Sequence, residues 1–195
     1  MTGTELIALI RRDFGELEEL TVTDEAIERW VNQALQTLYQ FLPLDELRPL
    51  WDSRLLVLED GEVEVNETDD RIIAVTVDDT PVMQVSLDVI QNIDISPLFV
   101  PLTPVWARET RKLWVRPKDI EEVTLTHVDP PTPISDFSQE LDWPPRKWVG
   151  VLSDLTVSSA YAQEEDVEQA SWYYQRALQR IGEEVAEAKP QEQEA

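Results

Sequence analysis

The spacing of apolar residues changes twice along this chain, and that change constrains the fold more than any other feature. Apolar side chains recur three and four positions apart between Ile27 and Leu42, which predicts one buried face of a helix. The same spacing returns between Trp148 and Ala162, and again between Val167 and Ile181. Residues 51–129 instead read as short strands separated by turns. We therefore predict an α+β, mainly helical fold, with N-terminal helices, paired C-terminal helices and an inserted antiparallel β-subdomain.

These patterns divide the chain into four segments. The predicted segments are an N-terminal helical part at 1–50, the β-subdomain at 51–129, C-terminal helices at 130–182 and an acidic tail at 183–195. Thr23 is a suitable N-cap for the second helix, and Asp166 with Gln169 resembles a capping box that opens the last one. Gly182 predicts the end of that helix, and the acidic residues beyond it are expected to be frayed.

Two turns and five strands are the clearest features of the β-subdomain. Asp60-Gly61 predicts a two-residue hairpin between strands at 54–59 and 62–66, and Asp78-Asp79 predicts a second turn. The later strands are predicted at 105–109, 112–116 and 122–128.

The net charge excludes several kinds of partner. Forty acidic residues against sixteen basic ones give −24. Such a surface has no basic stripe with which to bind a phosphate backbone, so specific DNA binding is not expected. High acid content with scarce lysine is typical of proteins from a halophilic host, and an acidic mesophilic protein with a solubilising surface is the alternative. No apolar run approaches the roughly 20 residues of a membrane span, so no membrane partner is expected and synthesis is assigned to the cytoplasm.

The sequence carries no motif for catalysis, and we predict that the protein is not an enzyme. There is no cysteine and a single histidine, His127, which can share a strand face with Asp129. A packed histidine explains this pair better than a general base. Residues 59–70 contain seven carboxylates but lack the spacing of an EF-hand loop. We therefore predict no catalytic, cofactor or metal site.

The order of these elements resembles the head–tail adaptor (connector) proteins of tailed phages and related archaeal tailed viruses. The resemblance rests on Trp-Val-Asn-Gln-Ala-Leu at 30–35, Leu-Trp-Val-Arg-Pro at 113–117, Pro-Pro-Thr-Pro-Ile-Ser at 130–135 and Trp-Tyr-Tyr at 172–174. It spans nearly the whole chain and is weakest between 51 and 104.

What the resemblance implies is a structural subunit in the neck of the virion, between capsid and tail. A ring of about twelve copies, as in the head–tail adaptors that the chain resembles, would sit under the portal protein and meet the next neck or tail component. The ring would line the channel through which double-stranded DNA passes without specific binding. The segment from 181 to the C-terminus is the expected portal contact, with Ile181, Val185, Ala188, Pro190 and Ala195 as its candidate residues. The turns at Asp60, Gly61, Asp78 and Asp79 are the expected tail-side or lumen loops.

Two other interpretations remain open at the level of sequence. One is another neck or tail ring protein, a stopper or a tail terminator, although these are usually richer in β-structure. The other is an acidic DNA-mimic inhibitor, whose carboxylates would have to be spaced like phosphates.

Overall fold

The computed structural model describes residues 3–13, 23–66, 71–95, 103–138 and 143–188, and it is α+β and mainly helical, as predicted. Short 3₁₀ helices occupy Leu44–Leu50 and Arg146–Trp148. The longer elements, in chain order, are α1 (Gly3–Asp13), α2 (Asp24–Phe41), β1 (Trp51–Val57), β2 (Glu62–Glu64), β3 (Ile72–Val77), β4 (Thr80–Pro81), β5 (Met83–Gln84), α3 (Leu87–Ile95), β6 (Val105–Glu109), β7 (Lys112–Arg116), β8 (Glu122–Val128), α4 (Val149–Gln163) and α5 (Val167–Ala188).

The chain forms two compact units, a helical unit at Met1–Pro49 with Pro130–Ala195 and a β unit at Leu50–Asp129. The second helix of the helical unit is built as its sequence predicts. Thr23 caps α2, since its Oγ1 accepts a hydrogen bond from the amide of Ala26 at 3.3 Å. The apolar stripe of α2 is buried and comprises Ile27, Trp30, Val31, Ala34, Leu35 and Leu38.

Helix α4 is the centre of the helical unit. It packs against α1, α2 and α5, and its apolar residues point in every direction, as a helix with several partners requires. Nearby, Asn32 fixes the proline-rich segment that precedes α4, because its side chain both accepts from the amide of Ile134 (2.7 Å) and donates to the carbonyl of Ile134 (3.0 Å).

The last helix begins where predicted but ends later. The Asp166 carboxylate accepts from the amide of Gln169 at 3.1 Å, which confirms the cap. The predicted end at Gly182 is wrong, because α5 continues to Ala188. A glycine in a helix interior costs only about 1 kcal/mol, and the glutamates and alanines around Gly182 favour helix strongly enough to outweigh it. Val167, predicted as part of the buried stripe, is exposed.

The β unit is layered. Its first sheet has the order β1-β8-β3-β4 and its second β2-β7-β6-β5, with all pairs antiparallel except β5 with β6. The two sheets share one core, and α3 packs through Ile90 on Val105 and Ala107 of the second sheet. The shared core comprises Leu58, Val65, Val75, Val82, Trp106, Leu113, Val115, Val123 and Leu125.

The strands at 105–109, 112–116 and 122–128 have the predicted bounds, but the first hairpin does not form as predicted. Around Asp60-Gly61, only Glu59 and Glu62 pair across the turn. Beyond them β1 pairs along its whole length with β8, and β2 pairs with β7. The turn therefore leads from one sheet to the other, because pairing β1 with β8 builds a longer ladder over the common core.

The two ends of the β unit lie next to each other in space. The amide of Asp129 donates to the carbonyl of Leu50 at 2.8 Å.

Among the helices of the described ranges, none has both the length and the apolar character needed to cross a bilayer.

Candidate assembly surfaces

The Asp60-Gly61 turn has the backbone of a tight I′ turn. Both residues have positive φ, 58° for Asp60 and 73° for Gly61. Asp60 is exposed, whereas Gly61 is buried. A Cβ on Gly61 would lie 2.6 Å from the carbonyl oxygen of Val115 and 2.9 Å from Nη1 of Arg116. Glycine is required at this position both for its backbone conformation and for the space that it leaves.

Arg116 anchors this turn from inside the β unit. Its side chain is almost fully buried, at 1% exposed, and Nη1 donates to the carbonyls of Gly61 (3.1 Å) and Val115 (2.8 Å). Nε and Nη2 bind both carboxylate oxygens of Asp94 near the end of α3. The hydrogen bonds from Arg116 hold the pKa of Asp94 below its ordinary value. The turn at Asp60 is therefore a fixed projection, held by a charge inside the unit.

The second turn, Asp78-Asp79, follows the C-terminal end of β3. These residues have φ of 47° and 61°, both are exposed, and they join β3 to β4 as a two-residue hairpin. The hairpin prediction is confirmed here. Two adjacent aspartates at a tip place negative charge where the chain is most accessible.

The C-terminal helix supplies the third predicted surface. Ile181 is buried, so its side chain packs in the helical unit and offers little surface, whereas Val185 is half-buried. Ala188 is the last residue of α5, and Pro190 and Ala195 lie outside the described residues. The exposed part of the helix beyond Gly182 begins with Glu183, which accepts a hydrogen bond from Gln179 at 2.8 Å.

A buried charge that was not predicted from the sequence joins α5 to α4. Asp154 is only 1% exposed. Arg176 binds both of its carboxylate oxygens, and Nη1 of Arg180 lies 2.9 Å from Oδ2. Arg176 also lies over the rings of Trp172 and Tyr173, at 4.5 and 4.7 Å from their centroids. The signal for this site was an aspartate as the only charged residue of α4, with arginines four positions apart on the next helix.

The single histidine takes part in a small polar cluster. His127 is buried, and its Nε2 lies 3.0 Å from Oδ1 of Asp129, so the contact that the sequence spacing allows is made. Asp52 stands opposite His127 on β1, and one ligand atom from each of the three residues lies within 4.8 Å of the others. An imidazole and two carboxylates are suitable ligands for a divalent cation. The hydrogen bond alone gives the cluster a structural role, since it ties the end of β8 to the residue that closes the β unit.

The helical unit also contains an open groove of about 540 Å³. Trp30 crosses it, donating from Nε1 to Oε1 of Gln163 at 2.9 Å. Among the lining residues the ionisable side chains are Arg29 and Tyr174, and amides and hydroxyls supply most of the remaining polar groups. The groove thus has hydrogen-bonding character without the acid and base pair that hydrolytic or proton-transfer chemistry needs.

A model of the SU10 adaptor protein family matches residues 1–194. The chain belongs to the SU10 adaptor family. It is therefore a phage adaptor protein of the head–tail type, a component of the virion with a structural role. No curated protein matches this adaptor. Its buried charges fit such a role, because Arg116 and Asp154 each bind partners within one unit and hold turns and helices in place.

Proposed function

We propose that this adaptor forms a ring of about twelve copies under the portal, in line with the head–tail resemblance, and joins the capsid to the tail. The observation that carries the proposal is the family match along the whole chain, from residue 1 to residue 194. The two-unit architecture supports it, since a helical unit and a β unit with projecting turns can contact different neighbours. On this proposal the adaptor sits in the neck of the virion and encircles the exit channel for DNA.

The charge of the adaptor suits a channel through which DNA must move freely. Forty acidic residues against sixteen basic ones give −24 for each copy, and a ring multiplies that charge around the channel. Carboxylates facing the DNA repel its phosphates and prevent tight binding. The exposed tips at Asp60 and at Asp78-Asp79 are suitable places for such carboxylates, or for contacts with the next tail component.

The portal contact is assigned to the end of α5 and the residues beyond it. Val185 is half-buried and leaves part of its apolar side chain available, while Ile181 anchors the helix inside its own unit. Ala188, Pro190 and Ala195 continue the same segment toward the C-terminus. A short apolar and acidic segment that docks on a larger ring uses the helix-in-groove type of recognition.

The same charge makes assembly depend on salt. At −24 each, neighbouring copies repel one another in dilute buffer, and the screening length falls from about 10 Å at 0.1 M to about 3 Å at 1 M salt. The high acid content and the scarcity of lysine support assignment of the adaptor to a virus of a halophilic host. The ring is expected to need either multimolar salt or the portal as a template.

Mass photometry of the chain with a portal ring from the same virus tests the proposal. We expect about twelve copies to join each portal in 2 M KCl, and truncation after Gly182 to abolish binding. Asp79→Asn is the matched control, because it changes an exposed turn far along the chain from the C-terminal segment and should bind like the wild type. Failure of the wild type to bind the portal in either salt, together with inhibition of a DNA-binding nuclease, would instead favour a DNA mimic.

A further inference from the structure

The polar cluster around His127 lies where the two ends of the β unit meet. His127 on β8 stands opposite Asp52 on β1, and Asp129 follows two positions after His127. One ligand atom from each of the three residues lies within 4.8 Å of the other two. Asp129 is also the residue whose amide binds the carbonyl of Leu50. We call these three side chains the closure cluster, because they lie at the closure of the β unit.

His127 supplies the closure cluster with a fixed nitrogen ligand. Its side chain is almost fully buried, at 2% exposed, and it lies on the same side of β8 as Val123 and Leu125 of the core. Its Nε2 is directed toward the exposed Asp129, whose Oδ1 lies 3.0 Å away. A ring that is already held in one orientation loses little conformational freedom when it binds an ion.

The spacing of the ligand atoms suits a single small ion. Two ligands that are each about 2.1 Å from a zinc ion lie about 3.0 Å apart at a right angle and about 3.4 Å apart at the tetrahedral angle. Nε2 of His127 and Oδ1 of Asp129 already have such a separation, at 3.0 Å. The third ligand atom, from Asp52, is within 4.8 Å of both. Because Asp52 is exposed, a rotation of its side chain can complete the set.

We propose that the closure cluster binds one divalent transition-metal ion of the zinc class, with His127, Asp52 and Asp129 as its protein ligands and water in the remaining positions. An imidazole nitrogen favours Zn²⁺ over Mg²⁺ and Ca²⁺, which prefer oxygen ligands alone. When no ion is bound, Nε2–H of His127 donates to Asp129. The ion takes the place of this proton, and the neutral ring then carries its proton on Nδ1.

The bound ion would join the first strand of the β unit to the residue that follows its last strand. It would act beside the hydrogen bond between Asp129 and Leu50, so the unit would be closed at two points. Arg54 lies two positions from Asp52 on the same side of β1, but within the described residues no ion pair joins the two. The site differs from the expectation of no metal site, because Asp52 is far from His127 along the chain and only strand pairing brings them together.

Titration of Zn²⁺ into the full chain, first stripped with a chelator, tests the site. His127 is the only histidine, so the ¹⁵N signals of an imidazole ring in the spectrum belong to it alone. The titration is made in 1 M KCl, where a screening length of about 3 Å suppresses the diffuse attraction of cations to a chain at −24. We expect one Zn²⁺ per chain, a shift of the Nε2 signal and a proton on Nδ1. The melting temperature should rise by about 5 °C or more when Zn²⁺ is at a hundred times its Kd.

Three asparagine variants separate the ligands from the general charge of the chain. Asp52→Asn and Asp129→Asn should each weaken Zn²⁺ binding at least about ten-fold, because each removes one charged ligand. Asp79→Asn is the matched control, since it removes the same charge from an exposed turn outside the closure cluster, and it should bind Zn²⁺ like the wild type. All three positions are exposed, so the fold should be preserved, and circular dichroism checks it.

Three results would overturn the site. One is an Nε2 signal that stays unchanged as Zn²⁺ is added, and another is equal Zn²⁺ affinity in all three variants. The third is displacement of Zn²⁺ by an equal concentration of Mg²⁺, which would show that only oxygen atoms hold the ion. These measurements use the chain without a portal, so their outcome is independent of the proposed position in the neck.

Discussion

Arg116 holds Asp94 in a parallel, two-bond pair, with Nε 2.7 Å from Oδ1 and Nη2 2.6 Å from Oδ2. The same guanidinium binds the carbonyls of Gly61 and Val115, so one side chain joins a turn, a strand and a helix. The consequences of this relationship can be measured.

Arg116→Met should destabilise the protein by about 3 kcal/mol, because it leaves the Asp94 carboxylate and two carbonyls without their buried donor. Urea unfolding in 2 M KCl measures the change. Lys112→Met is the matched control, since Lys112 and Glu62 form an exposed pair at 2.8 Å. Such surface pairs contribute about 0–1 kcal/mol. Equal effects of the two substitutions would contradict the anchoring role of Arg116.

The Asp94 pair should also give the stability a dependence on pH. Hydrogen bonds from Arg116 lower the pKa of Asp94 in the folded state, so the pair stabilises the protein fully above the unfolded value of about 3.9. That contribution is lost as the pH falls through the lower folded pKa. The difference in unfolding free energy between wild type and Asp94→Asn should therefore be constant from pH 5 to 7 and shrink below about pH 4. A difference that stayed constant down to pH 2.5 would argue against the linkage.

Gly61→Ala should cost at least about 2 kcal/mol, because alanine disfavours a φ of 73° and its Cβ would meet the Val115 carbonyl at 2.6 Å. Asp60→Gly, one residue earlier and exposed, should change the stability by less than about 1 kcal/mol. Thermal unfolding of both variants measures the two effects. Similar melting temperatures for Gly61→Ala and Asp60→Gly would show that the turn does not require glycine at position 61.

Asp154→Asn should loosen the pairing of α4 with α5. The substitution keeps the shape of the side chain but removes the charge that Arg176 and Arg180 share, at an expected cost of about 3 kcal/mol. A double-mutant cycle with Arg180→Ala tests the coupling, and we expect the two costs to be clearly non-additive. Additive costs, measured by helix signal in urea, would mean that the arginine does not act through Asp154.

Salt should stabilise the folded chain. At −24 the folded state suffers more self-repulsion than the extended chain, and KCl screens it. We expect the melting temperature to rise by about 5 °C or more between 0.1 and 2 M KCl. Sucrose at matched water activity controls for exclusion effects, and an equal rise in sucrose would remove charge screening as the cause.

Local signals in the sequence predicted much of the fold. The buried stripe of α2, its Thr23 cap and the bounds of β6, β7 and β8 followed from spacing and alternation. These features depend on residues close together in the chain, and local propensity and tertiary packing agree there.

The features that depend on residues far apart in the chain could not be predicted from local sequence patterns. Asp60-Gly61 correctly indicated a tight turn, but which strands pair beyond it is decided by the shared core of two sheets. Arg116 stood in a recognisable strand, yet its partners Asp94 and Gly61 are 22 and 55 positions away. Gly182 failed as a stop signal because the residues on both sides favour helix.

The hydrogen bond between Asp129 and Leu50 makes the β unit a cassette. Because the two ends of the β unit lie side by side, a replacement segment of any length has to fit the chain at this one place only. The core of the β unit and the core of the helical unit can then change separately. A different β unit, with other turns, can therefore replace this one in a related adaptor while the helical core stays as it is.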